Sequence, residues 1–137
     1  MHGSCGAASM TKAARSVFWF GLYLVALGLV LIVAPNVLIG LFGFPPTNEP
    51  WIRIAGVLAF VLGFYYIQCG RAEVRRFFEL TVPARLAVVA FFAAFVMLSL
   101  ASPILLAFAS VDLAGTLWTA LALRTDAGAA RASTLRA

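Results

Sequence analysis

The 137-residue chain contains little charge. Only 11% of its residues are charged and only five are acidic, whereas 64% are hydrophobic and the mean hydropathy is +1.02. A soluble domain carries roughly 25% charged residues, because its surface must face water. The scarcity of charge therefore excludes an ordinary soluble domain and indicates a surface that mostly faces lipid.

Residues that commonly carry catalysis or bind metals are also scarce. The chain has one histidine, His2, and two distant cysteines, Cys5 and Cys69, which do not make a metal-ligand set. It has no phosphate-binding glycine loop, nucleotide fingerprint, nucleophile elbow or paired-histidine motif. Its basic residues are not interleaved with stacking aromatics, so nucleic acid is not expected as a partner. We predict no catalytic residue, no metal and no cofactor.

Apolar segments of membrane-spanning length are abundant. A membrane helix needs about 20 predominantly apolar residues, and four segments qualify: 17–34, 51–69, 85–101 and 103–123. The first is too long for the apolar core of a secretory signal. We predict an all-α integral membrane four-helix bundle over residues 15–124, with disordered tails at 1–14 and 125–137 and a second candidate start at Met10.

The links between the spans differ in length and composition. Residues 36–42, within the apolar first link, are expected to form a short helix at the membrane interface. Spans three and four are joined by little more than "ASP" and should form an antiparallel hairpin. The second link, residues 71–85, is interpreted as an amphipathic cytoplasmic connector whose arginines contact anionic lipid head groups or, as the less favoured alternative, a partner protein.

The basic residues predict the orientation of the bundle, since lysine and arginine near helix ends favour the cytoplasm. In a four-span arrangement only Arg53 lies toward the outer side. The others fall on the opposite side: Lys12, Arg15, Arg71, Arg75, Arg76, Arg85, Arg124, Arg131 and Arg136. Both termini are therefore predicted to be cytoplasmic.

Small residues recur at helical spacing in the first two spans. Gly21 and Gly28 are seven residues apart, as are Gly56, Gly63 and Gly70. Ala55, Ala59 and Gly63 form a second ridge, with a spacing of four. Membrane helices associate through close backbone approach at small residues, so these glycines are interpreted as helix-packing positions rather than as a substrate passage.

Asp112 is an acidic residue near the middle of the fourth span. A charged carboxylate there costs about 2.5–3.5 kcal/mol on insertion scales, so it must face the bundle interior. Gly115, Thr116 and Thr119 share its helical face. Tyr23 of the first span falls at a similar depth, and Arg53 of the second would reach Asp112 only by bending inward.

Two interpretations of Asp112 remain open. In the first, which we favour, it is a buried polar clasp hydrogen-bonded to Tyr23, Thr116 or Arg53. In the second it titrates in a proton, ion or ligand site, the default expectation for an ionisable group at this depth. The spans contain no second acid, lysine or histidine for a proton relay. Trp118 is a candidate interfacial anchor or a stacking surface for a ligand.

The segments "GLFGFPPTNEPWIRIAG", "GFYYIQCGR", "FFELTVPAR" and "VDLAGTLWTALALR" resemble a group of small, uncharacterised bacterial four-span membrane proteins and, more distantly, the DoxX-like set. The resemblance covers residues 15–124. It implies a multi-pass protein of the bacterial inner membrane and carries over no catalytic residue. The association of the DoxX name with a quinone oxidoreductase implies one further candidate, a quinone near Tyr23 and Trp118.

These observations lead to two functional hypotheses. The first is a non-enzymatic accessory or assembly subunit of the inner membrane, with Asp112 as its polar clasp. The alternative is a small transporter or a protein that binds a lipophilic, quinone-like ligand, in which Asp112 titrates. The expected partners are the lipid bilayer and either a second copy of the chain or another membrane protein.

Overall fold

The computed structural model describes residues 9–137, and this part of the chain contains five helices. They are α1 (Lys12–Val33), α2 (Pro35–Leu41), α3 (Pro50–Arg71), α4 (Arg75–Met97) and α5 (Leu105–Arg136). All except the short α2 are long and apolar enough to cross a membrane. The predicted fold class is confirmed: the chain is an all-α, multi-pass membrane protein built on four long helices. The short helix predicted at residues 36–42 is also present, as α2.

The four long helices alternate in direction, which gives the bundle two distinct ends. At the end that we call the basic end, the start of α1 meets the α3–α4 link, because Glu73 accepts hydrogen bonds from Thr11 N (2.8 Å) and Thr11 Oγ1 (2.7 Å). At the opposite end, which we call the distal end, α2 packs on the start of α5. The ring centroids of Phe42 and Phe108 are 4.9 Å apart there.

Helices α1 and α3 are in close backbone contact where glycines of one helix lie against glycines of the other. A Cβ atom added to Gly21 would lie 2.9 Å from the carbonyl oxygen of Gly63, and one added to Gly28 would lie 2.7 Å from that of Gly56. Gly70 faces the Ala14 carbonyl in the same way, at 3.2 Å. The prediction that the glycines are packing positions is confirmed. Of the four-residue ridge, Gly63 takes part in this contact, whereas Ala55 is exposed within the chain.

Helix α4 differs from the predicted third span in both of its boundaries. It begins at Arg75 rather than near residue 85, so most of the predicted connector forms its first turns. Pro83 lies within the helix. A proline removes one backbone hydrogen bond, and helices in a membrane bundle tolerate this loss because neighbouring groups satisfy the freed backbone atoms. The helix ends at Met97 rather than at residue 101, and residues 98–104 form a longer link to α5 than the predicted three-residue hairpin.

Helix α5 continues through Arg136, where the sequence predicts a disordered tail from residue 125. This prediction was wrong because it relied on the absence of an apolar face. Residues 125–136 are rich in alanine and also contain arginine and leucine, which are strong helix formers, and an existing helix propagates without a new nucleation cost. Asp126 also contacts α1, since its Oδ2 accepts a hydrogen bond from Ala13 N at 3.0 Å.

The predicted N-terminal tail, residues 1–14, lies partly outside the described residues. Within them, α1 already begins at Lys12, and the Oγ1 atom of Thr11 accepts a hydrogen bond from Ala14 N at 3.2 Å. This N-cap satisfies a backbone donor that a helix end leaves free. The end of the predicted tail is therefore helical.

The helices associate as two hairpins. α1 packs along α3, α4 packs along α5, and the two hairpins meet mainly where α1 contacts α5. By contrast, α3 and α4 approach each other at few positions, one of which is the contact between the Tyr66 and Phe77 rings, with centroids 5.1 Å apart. This arrangement leaves a space between the hairpins, on the side away from the α1–α5 contact.

Candidate functional site

The space between the hairpins is a pocket of about 550 Å³, lined by side chains from all five helices. Small-molecule sites in proteins range from about 300 to 1,000 Å³, so its size suits a ligand. All but four of the lining side chains are apolar. The four with polar groups are Arg85, Asp112, Tyr23 and Tyr66.

The pocket has a polar part and an apolar part. Its lining on α1 runs from Phe20 and Tyr23 to Leu31, and the eleven rises from residue 20 to residue 31 correspond to about 16 Å. Arg85, Tyr66 and Phe20 cluster in the polar part. Toward the distal end the lining consists of apolar side chains that include Leu31, Leu38, Ile39, Phe42, Phe44 and Phe108.

Arg85 is the central residue of the polar part. Because α4 begins ten residues earlier than predicted, Arg85 lies about 15 Å along the helix rather than at its first residue. Only 2% of its surface is exposed. The sequence-based assignment of Arg85 to the cytoplasmic connector was therefore wrong.

The Arg85 guanidinium is packed against aromatic rings but makes no hydrogen bond. Its Cζ atom lies 3.5 Å from the Phe20 ring centroid and 5.1 Å from that of Tyr66. Within the described part of the chain, none of its three nitrogens has a hydrogen-bond partner. A cation over an aromatic face is attracted by the ring quadrupole, but aromatic faces leave the N–H groups without acceptors.

Gly115 of α5 makes room for this guanidinium. A Cβ atom at Gly115 would lie 2.9 Å from Arg85 Nη1 and 3.1 Å from Cδ2 of Phe20. The absence of a side chain at this position therefore lets the arginine lie flat between α1 and α5.

Asp112 lines the same pocket and is a polar neighbour of Arg85. It forms no ion pair with Arg85, since no nitrogen–oxygen distance between them falls within 4.0 Å. Nor does a hydrogen bond join its carboxylate to Tyr23, Arg53 or Thr116, the partners considered from the sequence. Tyr23 does line the pocket beside it.

Thr116 and Thr119 lie on the buried face of α5, as their spacing from Asp112 predicts. Thr116 Oγ1 donates to the backbone carbonyl of Asp112 at 2.7 Å, within the helix. Thr119 is fully buried, and its Oγ1 lies 2.9 Å from Oγ of Ser16 on α1. These two threonines therefore contribute to helix structure and packing rather than to the pocket.

Arg53 and Trp118 lie away from the polar part of the pocket. Arg53 is exposed at the distal end, where its Nη1 donates to the carbonyl oxygen of Ile32. Trp118 is 49% exposed and does not line this pocket, although with Tyr23 it lines a separate groove of about 290 Å³. Of the six candidate residues, the structure thus brings only Tyr23 and Asp112 together at the pocket.

Sequence reasoning missed Arg85, Tyr66 and Phe20. One signal could have found Arg85: it follows Phe78 and Thr81 at offsets of seven and four, and these three are the buried residues of α4. Extending the third span backward to include this face would have placed a cation within the membrane. It would also have supplied Asp112 with a neighbour of opposite charge.

Comparison with protein-family models, with curated proteins and with solved structures finds no match for this chain.

Proposed function

We propose that this chain is a bacterial inner-membrane protein, with both termini cytoplasmic, that binds a lipophilic ligand in the pocket between its two helical hairpins. The observation that carries the proposal is the pocket itself: an apolar space of about 550 Å³ with a buried, unpartnered guanidinium in its wall. A structural arginine would be expected to meet acceptors from the protein, because leaving a buried polar group unsatisfied costs about 1–3 kcal/mol.

The arrangement of the helices offers a route into the pocket. Tyr66 of α3 packs on Phe77 and Arg85 of α4 toward the basic end, but the two helices otherwise approach each other at few positions, so the rest of the seam between them can admit an elongated molecule from the surrounding lipid. The close glycine contacts of α1 with α3 leave no such space on their side of the bundle. Entry from the bilayer agrees with a lining that is almost entirely apolar.

The inner-membrane assignment is supported by the excess of lysine and arginine at the basic end. The alternative role, an accessory subunit with Asp112 as a polar clasp, has less support. The Asp112 carboxylate lines the pocket and is not hydrogen-bonded to the neighbours that would make it a clasp.

Blocking the pocket tests the proposal. Ala55 lines it, so Ala55→Phe should fill part of the space and displace a bound molecule. Ala90→Phe is the matched control, since Ala90 is an exposed alanine of a membrane helix outside the pocket. The protein would be purified in nanodiscs and its bound small molecules measured by native mass spectrometry.

We expect a lipophilic molecule in a one-to-one ratio with the wild-type protein and with Ala90→Phe, and its loss from Ala55→Phe. If no molecule accompanies the wild-type protein, or if Ala55→Phe retains it at the same ratio, the pocket is not a binding site.

A further inference from the structure

We infer that the ligand of this pocket is a single-chain carboxylic acid, bound with its carboxylate at Arg85 and its hydrocarbon chain pointing toward the distal end. This inference rests on the proposed function and specifies the ligand's chemical class and orientation.

The unpartnered guanidinium indicates the chemistry of the head group. A guanidinium presents five N–H donors in a planar fork and has no acceptor, and all three nitrogens of Arg85 lack a partner in the described residues. A pure hydrocarbon would leave these donors unsatisfied, and a cationic head would be repelled. A carboxylate satisfies two donors at once in the bidentate geometry that arginine favours. Because the three nitrogens are enclosed in this structure, the side chain must turn from the Phe20 ring toward the pocket to make this contact.

Asp112 does not take this role. Although it lines the same pocket, it forms neither an ion pair nor a hydrogen bond with Arg85. An acid bound at Arg85 would bring a second carboxyl group near Asp112, and like charges in one site disfavour ionisation of both. We therefore expect Asp112→Asn, which removes the like charge and keeps the shape, to retain or strengthen binding of an acid.

The length of the pocket indicates the hydrocarbon chain. The lining extends from Phe20 to Leu31 on α1, which is about 16 Å. This is close to half of the roughly 30 Å hydrocarbon core of a bilayer, and hence to the depth that one leaflet's acyl chains occupy. The chain would end among Leu38, Phe42 and Phe108 near the distal end.

Three photoreactive probes of equal chain length can test this assignment. Dodecanoic acid, dodecanol and dodecylamine would each carry a diazirine near the end of the chain and would be added at equal mole fractions to nanodiscs of phosphatidylcholine. The wild-type protein should be labelled by the acid about tenfold more than by the amine or the alcohol, as expected for a charge-assisted bidentate contact. The labelled peptides should come from α2 and the start of α5.

Arg85→Met removes the guanidinium but keeps a long side chain, and Arg85→Lys keeps the charge but not the fork. We expect labelling by the acid to fall about tenfold in Arg85→Met and less in Arg85→Lys. Labelling by dodecanol should stay unchanged in both, which shows that the pocket persists. If Arg85→Met does not fold, Gly115→Ala provides a second variant, because its Cβ would displace Nη1 of Arg85 without removing the charge.

The outcomes separate the two proposals. If none of the probes labels the pocket, the proposed function fails. If all three label it equally, or if the acid labels Arg85→Met as well as the wild-type protein, the pocket binds lipophilic molecules but the acid assignment is wrong. Preference for the amine, lost in Asp112→Asn, would assign the head group to Asp112 instead and would also overturn the inference.

Discussion

Replacing Gly28 by alanine should disrupt the contact between α1 and α3. A Cβ atom at this position would lie 2.6 Å from the backbone nitrogen of Phe60 and 2.7 Å from the carbonyl oxygen of Gly56. Both neighbours are backbone atoms of α3, so neither can rotate away as a side chain would. The two helices must therefore move apart by about 1 Å to restore an ordinary contact distance of 3.4–4 Å.

The expected loss of stability follows from two opposing effects. Overpacking a well-packed contact costs about 1–3 kcal/mol, and the upper value applies here because the clash is with backbone. Alanine also has a higher helix propensity than glycine, by roughly 1 kcal/mol. The net effect of Gly28→Ala should be a decrease of about 2 kcal/mol in the free energy of unfolding.

Reversible unfolding in mixed micelles, driven by increasing dodecyl sulfate and followed by circular dichroism, measures this difference. Gly128→Ala is the matched control: it also lies within a helix, and a Cβ atom there would meet nothing within 4 Å. That variant should be as stable as the wild-type protein or more stable by up to roughly 1 kcal/mol. Equal stability of Gly28→Ala and Gly128→Ala would refute the close backbone contact between α1 and α3.

The same unfolding assay and one labelling experiment test four other contacts or features. Thr119→Val removes the buried hydrogen bond to Ser16 and should cost about 1 kcal/mol; no loss would show that the bond does not contribute. Glu73→Ala removes the acceptor of two hydrogen bonds from Thr11 and should cost more than Glu79→Ala, whose exposed ion pair with Arg75 is worth less than about 1 kcal/mol. Asp126→Ala removes an acceptor at the start of α1 and should cost about 0.5–2 kcal/mol, as loss of a helix cap does. For orientation, a membrane-impermeant thiol reagent applied to intact cells should modify Ser99→Cys but not Ser133→Cys, in a background where Cys5 and Cys69 are replaced by serine; the reverse pattern would overturn the predicted orientation.

The parts of the fold that could be predicted depend on local patterns. Apolar segments long enough to span the hydrocarbon core of a bilayer predict membrane helices, because a shorter helix could not cross it. The heptad spacing of Gly21 and Gly28, and of Gly56 and Gly63, predicts helix-packing positions, because small residues permit close backbone approach. Both signals lie within single stretches of sequence, so neither requires knowledge of how the helices are arranged.

The candidate site could be predicted only in part, because it depends on where α4 begins. Asp112 was identifiable as a charge at mid-membrane depth, but its neighbourhood required the register of the other helices. Ten additional residues at the start of α4 move Arg85 from the edge of the membrane to the polar part of the pocket. Hydropathy places a helix boundary poorly when polar residues such as Glu79 occupy its first turns.

Arg85 differs from three other polar side chains of this bundle, each of which makes a hydrogen bond to a neighbouring group. Thr119 meets Ser16, Thr116 meets the carbonyl of Asp112, and Arg53 meets the carbonyl of Ile32. Arg85 is buried, yet its nitrogens have no hydrogen-bond partner in the described residues and its guanidinium stacks on aromatic rings. Sequences usually violate such local rules where function requires it. Because Arg85 lines a pocket of ligand size, its unsatisfied guanidinium is the basis of the acid ligand that we propose.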